Sequence, residues 1–438
     1  MRALPVLAVA LLVCSAVVGA TSGFAVDDQS TLGATEPADG SSVAQTDNAS
    51  LQQITVLDIP PRSIERWGVD RQYVDLGPAV TLSTNETTDR LQTLAMAERI
   101  EAANTTEERQ ARIRAAVREL ETDVDELDER QTETVAAYGR GDITSRDLLV
   151  NLVRISIAAE ELGERRSRLE ELAAETPGYD INRGRVAAVG NRLSAFTGPV
   201  RAHAEMVLRG DAAPHRFYIA TGPESVTVTT IVDDTYYREA YRGDLRNGAG
   251  DAIELEVALD IVSASYPVIW NTTREQTQVF GGGETYPVSI AHSRGDLTAF
   301  VDSNARVVYA EHQRRPLDSL VYDRRADRTS DGLRLRVNHT YPGGPVEVNV
   351  VDAQTGDVVD ANVTMRTETG TMRSLERTSE DGTRWALSPY RRYTITAQYL
   401  GDSVEAVIDP GAPPRVQPAT GNEGENNETA TPTPTPTA

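Results

Sequence analysis

Two apolar stripes of helical period constrain this chain most. Ile113, Val117, Leu120, Val124, Leu127, Gln131 and Thr134 recur at steps of four and three. Leu148, Leu152, Ile155, Ala159, Leu162, Arg166, Leu169 and Ala173 repeat the pattern. Each stripe lies along one side of an α-helix and must be covered. Gly139-Arg140-Gly141-Asp142 supplies a turn between them, and Thr144-Ser145-Arg146-Asp147 opens the second helix with a capping-box-like pattern. Pro177-Gly178 ends it. The stripes predict an antiparallel helical hairpin, whose seam would dock a partner's helix if left open. Glu108 with Arg112, Glu161 with Arg165 and Glu164 with Arg168 stand four apart, as solvent-side ion pairs should. Shorter helices near 88–101, 185–196 and 199–209 complete a helical domain expected over 53–212.

The texture changes at Pro214. Strands are expected at 216–220 and 225–232, the second an unbroken β-branched run. Ile253, Val257 and Ile261, with Leu255 and Leu259 between them, predict a helix to about Ser265, stopped by Tyr266-Pro267. Segments 286–292, 297–301 and 307–313, divided by turn residues, read as a meander. These make an α+β domain over 213–318, the helix packed on one sheet face. Gly281-Gly282-Gly283-Glu284 reads as a loop. After an arginine-rich connector at 314–328, Leu333, Leu335 and Val337 alternate with polar residues, as do Val346, Val348 and Val350. Six or seven such strands predict a β-sandwich over 329–410. The expected fold class is multi-domain α+β: an N-terminal helical hairpin or bundle, a central α+β domain with an antiparallel meander, and a C-terminal β-sandwich.

Within the sandwich, the stretch from Val350 to Val363 carries Thr355-Gly356-Asp357 between two strands. With Asp381-Gly382 and the closing strand at 393–397, it resembles carboxypeptidase-regulatory-like or transthyretin-like sandwiches. That resemblance covers roughly 60 residues and implies an accessory binding role. Tyr286-Pro287-Val288-Ser289-Ile290 followed by 295–302 resembles a hairpin of small exported domains found beside peptidases. As a whole the chain resembles uncharacterised secreted or cell-surface proteins of halophilic archaea, a resemblance that implies no activity.

Composition bears on habitat. All 43 basic residues are arginine, against 66 acidic ones, for a net charge of −23. Carboxylate repulsion on that scale is screened in concentrated salt, where the Debye length falls to about 3 Å at 1 M. Arginine still forms bidentate pairs there. The apolar run at 3–20 reads as a secretory signal, with the signal segment taken as 1–25, so the expected location is extracellular or the cell surface. Uncleaved, the run would be a membrane anchor. Cys14 lies inside it, leaving the mature chain without a thiol. Residues 26–52 read as a disordered lead-in and 411–438 as a disordered tail ending in a Thr-Pro repeat. Asn48, Asn85, Asn104, Asn271, Asn338, Asn362 and Asn427 begin Asn-x-Ser/Thr sequons and are candidate glycan acceptors.

No catalytic, cofactor-binding or metal-binding constellation stands out. His203, His215, His292, His312 and His339 include no pair at metal-ligand spacing, although His292 and His312 could face each other across the meander. The four Arg-Gly-Asp tripeptides read as turns. Charge −23 without a basic patch excludes nucleic acid as a partner. The expected function is an exported, salt-adapted envelope protein, a structural or binding module without catalysis. Its partner would be an envelope protein or glycan. The alternatives are a carboxylate-dependent hydrolase or peptidase-associated factor using Asp233 and Asp234, or the extracellular part of a membrane-anchored sensory or transport system.

Overall fold

The computed structural model describes residues 53–247, 252–322 and 324–416, apart from the side chains of 274–276. Expectations for the signal, the lead-in, Cys14 and most of the Thr-Pro tail lie outside these residues.

Five helices come first: α1 (Leu76–Glu101), α2 (Thr106–Arg140), α3 (Ser145–Ala174), α4 (Arg183–Ser194) and α5 (Pro199–Arg209). Thr105 caps α2 by accepting from the Glu108 N–H, and Gly141, at φ 85°, ends it in the left-handed conformation. The capping box at Thr144 and Asp147 forms. All seven α2 stripe residues are buried. In α3 every stripe residue except Arg166 is buried, and the buried set widens to neighbours such as Leu149, Arg165 and Leu172.

Burial of Glu161 and Arg165 against neighbouring helices accompanies the redirection of two expected ion pairs. Arg165 reaches Asp123 on α2 at 2.6 Å, and Glu161 pairs with Arg90 on α1 at 3.3 Å. Arg168 binds Glu101 at 2.7 Å in place of Glu164. The charges on this face tie helices together. Of the three expected pairs, Glu108–Arg112 alone forms. The seam is covered within the protein itself, which removes it as a dock for a partner's helix.

The central sheet has eight antiparallel strands: β1 (Arg66–Gln72), β2 (His215–Thr221), β3 (Ser225–Val232), β4 (Thr235–Arg242), β5 (Thr273–Val279), β6 (Thr285–His292), β7 (Gly295–Asp302) and β8 (Val307–Pro316). Their spatial order is β1-β2-β3-β4-β8-β7-β6-β5. β1 falls inside the stretch expected to be a helical domain, yet pairs with β2 along its whole length. Phe217, Ile219, Val226, Val228 and Phe300 join the helices in one core. Helices and sheet share this core across the boundary expected at 212/213.

On the opposite sheet face, Val288, Ile290, Leu297 and Ala299 pack with residues of α6 (Leu255–Ser265) and α7 (Pro267–Asn271). The helix expected to end at Ser265 does so, and Pro267 begins a further short one. Both sheet faces are covered, so β3 needs no polar side.

The sandwich pairs one sheet of β14 (Thr383–Leu387), β11 (Pro345–Asp352), β10 (Leu333–His339) and β9 (Arg324–Ser330) with another of β13 (Met372–Arg377), β12 (Asn362–Thr367), β15 (Tyr393–Tyr399) and β16 (Asp402–Ile408). Leu335, Val337, Val348, Val363 and Ile395 are among its fully buried residues. The connector expected at 314–328 shrinks, because Arg314 and Arg315 continue the β8 ladder and β9 begins at Arg324. Residues 411–416, expected in the disordered tail, are held instead. The Val56 N–H donates to Pro414 O at 2.9 Å, and Arg415 pairs with Asp58 at 3.1 Å.

The sandwich seats on the large sheet through one turn. The Gly343 carbonyl accepts from Thr229 at 2.7 Å and from the Tyr236 hydroxyl at 3.1 Å. Gly343 has φ 74°, and a Cβ there would lie 2.6 Å from the Tyr218 ring. Only glycine allows this approach.

Candidate functional site

The seating leaves a cleft of about 450 Å³ where the β1–β2 edge of the large sheet meets β13 and β14. Arginines from four strands line it: Arg71 on β1, Arg216 on β2, Arg373 on β13 and Arg384 on β14. On β2, alternation sends Arg216 to the cleft while its neighbour Phe217 enters the core. Glu376 stands among them. Arg71 Nη1 lies 3.1 Å from its Oε1 and Arg384 Nη2 2.8 Å from its Oε2. Arg216 Nη2 donates to the Ser374 carbonyl at 2.5 Å. Arg373 Nη2 is 4.0 Å from Asp70, the outer limit of an ion pair.

Four guanidinium groups therefore share two carboxylates. Two of their buried donors, Arg373 Nη1 and Arg384 Nε, find no acceptor in the protein. Burial, and then the Arg71 charge beside it, lower the pKa of Arg216, and burial does the same to Arg373. An arginine in a protein stays charged regardless, so these shifts mark positive charge held at a cost. Leu375, Trp385 and Leu387 supply an apolar wall.

The other end of the cleft holds Asp233, Asp234 and His215. Asp233 and Asp234 are the two turn residues of the β3–β4 hairpin, between the paired Val232 and Thr235. Asp233 takes φ 49°, which Asp tolerates in such turns. Two adjacent carboxylates on a tight turn are placed by chain reversal. His203, from α5, meets His215 edge to face with ring centroids 4.7 Å apart. Burial, and then His215, push His203 down to about 4, against the pull of Asp233. His215 Nε2 touches the Ile231 carbonyl. Sequence spacing gave no sign of this pair, since one histidine is helical and the other starts a strand.

His292 and His312 do not face each other, because β7 lies between β6 and β8. His312 packs instead on Phe300, with centroids 5.0 Å apart. His339 is buried in the sandwich at the end of β10. Among the described residues, no group of three or more His, Cys, Asp or Glu is arranged to hold a metal ion. The Arg-Gly-Asp tripeptides fall at the ends of α2, α5 and β4 and at the β6–β7 hairpin. Of the sequons, Asn85, Asn104, Asn271 and Asn362 are exposed, and Asn338 is half-buried on β10. Asn48 and Asn427 lie outside the described residues.

Sequence reasoning missed the arginines. Arg71 lies on a strand inside the stretch expected as a helical domain, and Arg216 on a strand expected at 216–220. Arg373 and Arg384 sit on short strands of the sandwich. Nothing along the chain signals their convergence.

Fold and site together define a mixed α+β body that carries a C-terminal β-sandwich, with a cleft where the two meet. Comparison with known families divides the chain into three segments. Residues 1–213 match a domain of unknown function (DUF7096), residues 217–321 a family of unknown function (DUF7094), and residues 324–406 an archaeal fibronectin-III type-like domain. Together these matches describe an uncharacterised archaeal family with a C-terminal β-sandwich. The type matched for that sandwich is fibronectin-III, in place of the transthyretin-like type that its turns resemble. No curated protein and no solved structure matches the chain.

Proposed function

We propose that this protein is an exported, salt-adapted envelope protein that works as a structural or binding module without catalysis, and that the cleft between sheet and sandwich is its ligand site. One observation carries this reading. Four guanidinium groups converge beside an apolar wall at one concave surface, a combination suited to holding a ligand. Guanidinium groups are always protonated and lack acceptor lone pairs, so they bind anions and do not abstract protons. The apolar run at 3–20, the acidic coat and the fibronectin-type sandwich support an extracellular setting. Among the described residues no helix is long and apolar enough to cross a membrane, so an anchor would rest on the N-terminal run.

Pull-down from native envelope in concentrated salt, with mass spectrometry of the mature N-terminus from cells and medium, tests the proposal. Recovery from the envelope or medium with a defined partner or glycan supports it. A cytosolic location with an intact N-terminus sinks it.

A further inference from the structure

We infer that the arginine end of the cleft is an oxyanion subsite for an acidic sugar, a ring carrying a single carboxylate or sulfate. The inference rests on the cleft being a ligand site, and it names the chemistry of the ligand.

The argument begins with acceptors. A buried guanidinium N–H without an acceptor forfeits a charge-assisted hydrogen bond. Arg373 Nη1 and Arg384 Nε are both in that position. Glu376 is already engaged by Arg71 and Arg384, and Arg216 is spent on the Ser374 carbonyl. The charges that act on Arg216 come from Arg71, Arg384 and Arg373, with Glu376 alone opposing them. One further oxyanion in the cleft would offset the like-charge repulsion among guanidinium groups whose donors the protein's own acceptors do not exhaust. Carboxylate and sulfate both present the planar or tripodal oxygens that a guanidinium fork matches.

The body of the ligand follows from the rest of the cleft. Trp385 and Leu375 line the same space, so the anion must sit on something with an apolar face. The volume of about 450 Å³ suits a ligand of one or two sugar rings. Asp233 and Asp234 line the same cleft, so a polyanion would meet their charge at short range, whereas a ligand with one oxyanion can place it at the arginines. This argument favours an acidic sugar over a glutamate-rich peptide.

The test is calorimetric titration of the full chain in concentrated KCl with a glucuronate-terminated disaccharide, a sulfated disaccharide, their neutral counterpart and a glutamate-rich peptide. The acidic sugars are expected to bind at least about tenfold more tightly than the neutral one, as one charge-assisted contact implies. Inorganic sulfate should compete with them. Arg373→Gln and Arg384→Gln should each erase most of the preference for the acidic sugar, and Arg373→Lys should restore only part of it. The two replacements are read separately, and the sulfate competition needs no variant, so a variant that does not fold leaves the test intact. Equal binding of acidic and neutral sugars overturns the oxyanion subsite while leaving the cleft a ligand site. Tighter binding of the peptide than of any sugar overturns the ligand class. No binding of any probe, and no sulfate competition, removes the oxyanion subsite.

Discussion

Arg238 and Glu311 meet across β4 and β8 at 2.9 Å, and neither side chain has any exposure to solvent. Arg238 also donates to the Leu57 carbonyl at 2.7 Å. Glu311 accepts from the Leu57 N–H at 2.8 Å and the Tyr266 hydroxyl at 2.7 Å. One ion pair thus fastens the N-terminal segment and the start of α7 to the middle of the sheet. Burial raises the pKa of Glu311 in spite of Arg238. The charged pair is therefore held against a desolvation cost by its hydrogen bonds.

Removing one partner should be severe. Arg238→Met leaves Glu311 charged and buried, and about 3–5 kcal/mol of stability should be lost. Glu311→Leu should cost at least as much, since Leu57 N–H and the Tyr266 hydroxyl also lose their acceptor. The double replacement should recover part of the loss by removing both charges. Denaturant unfolding in fixed concentrated salt measures all three. A double variant no better than the worse single one would contradict the account.

The other face of β4 carries a second device. Gly198 precedes α5 and has no side chain to cap it. Glu239 takes the place of a cap, accepting from the Val200 N–H at 2.5 Å and the Arg201 N–H at 3.0 Å while pairing with the Arg201 guanidinium at 3.1 Å. A carboxylate at a helix N-terminus is favoured by the exposed N–H groups and the helix dipole. A Cβ on residue 198 would lie 2.1 Å from the carboxylate carbon of Glu239. Gly198→Ala should therefore displace the carboxylate and cost about 2–4 kcal/mol, since a buried charge pair loses its geometry. Thermal unfolding in fixed salt reads this, and no loss relative to Gly163→Ala, where a Cβ would meet nothing within 4 Å, would reject it.

Acid should find a weak point near the cleft. His203 titrates at about 4 in the folded protein against an ordinary 6.5. The unfolded chain then binds more protons than the folded one between those values. The contribution of His203 is fully present above about pH 6.5, falls as the pH drops, and is lost once the pH passes below about 4. It amounts to roughly 3 kcal/mol at most. His215 deepens the effect and Asp233 opposes it. Melting temperatures over a pH series should show a shallower acid slope for His203→Leu than for the parent. Parallel slopes would remove the histidine from the explanation.

How much could be read from the chain follows the range of the interactions. Ile113 through Thr134 specified the buried side of α2 because helical period is local. Gly198-Pro199 and Gly210 set the bounds of α5 for the same reason. β4 escaped notice. Its residues Thr235–Arg242 alternate Tyr, Arg and Glu, and its burial comes from partners far along the chain. β1 was hidden because its pairing to β2 spans all five helices. The cleft shares this property. Asp233 and Asp234 were legible as a pair, but as a turn, whereas Arg71, Arg216, Arg373 and Arg384 become a group only when two sheets meet.

The sequons separate by the same logic, and the separation can be checked. Glycan transfer needs an asparagine side chain free to enter an enzyme's site. Asn85 and Asn104 lie exposed on α1 and in the α1–α2 connection, and Asn362 is exposed at the start of β12. Asn338 differs. Its Nδ2 donates to Glu347 at 2.9 Å across the β10–β11 ladder, and its backbone lies between β9 and β11 in a four-stranded sheet. Modification after folding would have to break that contact and open the sheet. If the chain is glycosylated, peptide mass spectrometry of native material should find glycans among Asn85, Asn104, Asn271 and Asn362 and none at Asn338. Asn338→Asp should leave the glycan mass unchanged but cost stability of about 0.5–1.5 kcal/mol, because it sets a carboxylate against Glu347. A glycan at Asn338 would mean that transfer precedes folding of the sandwich.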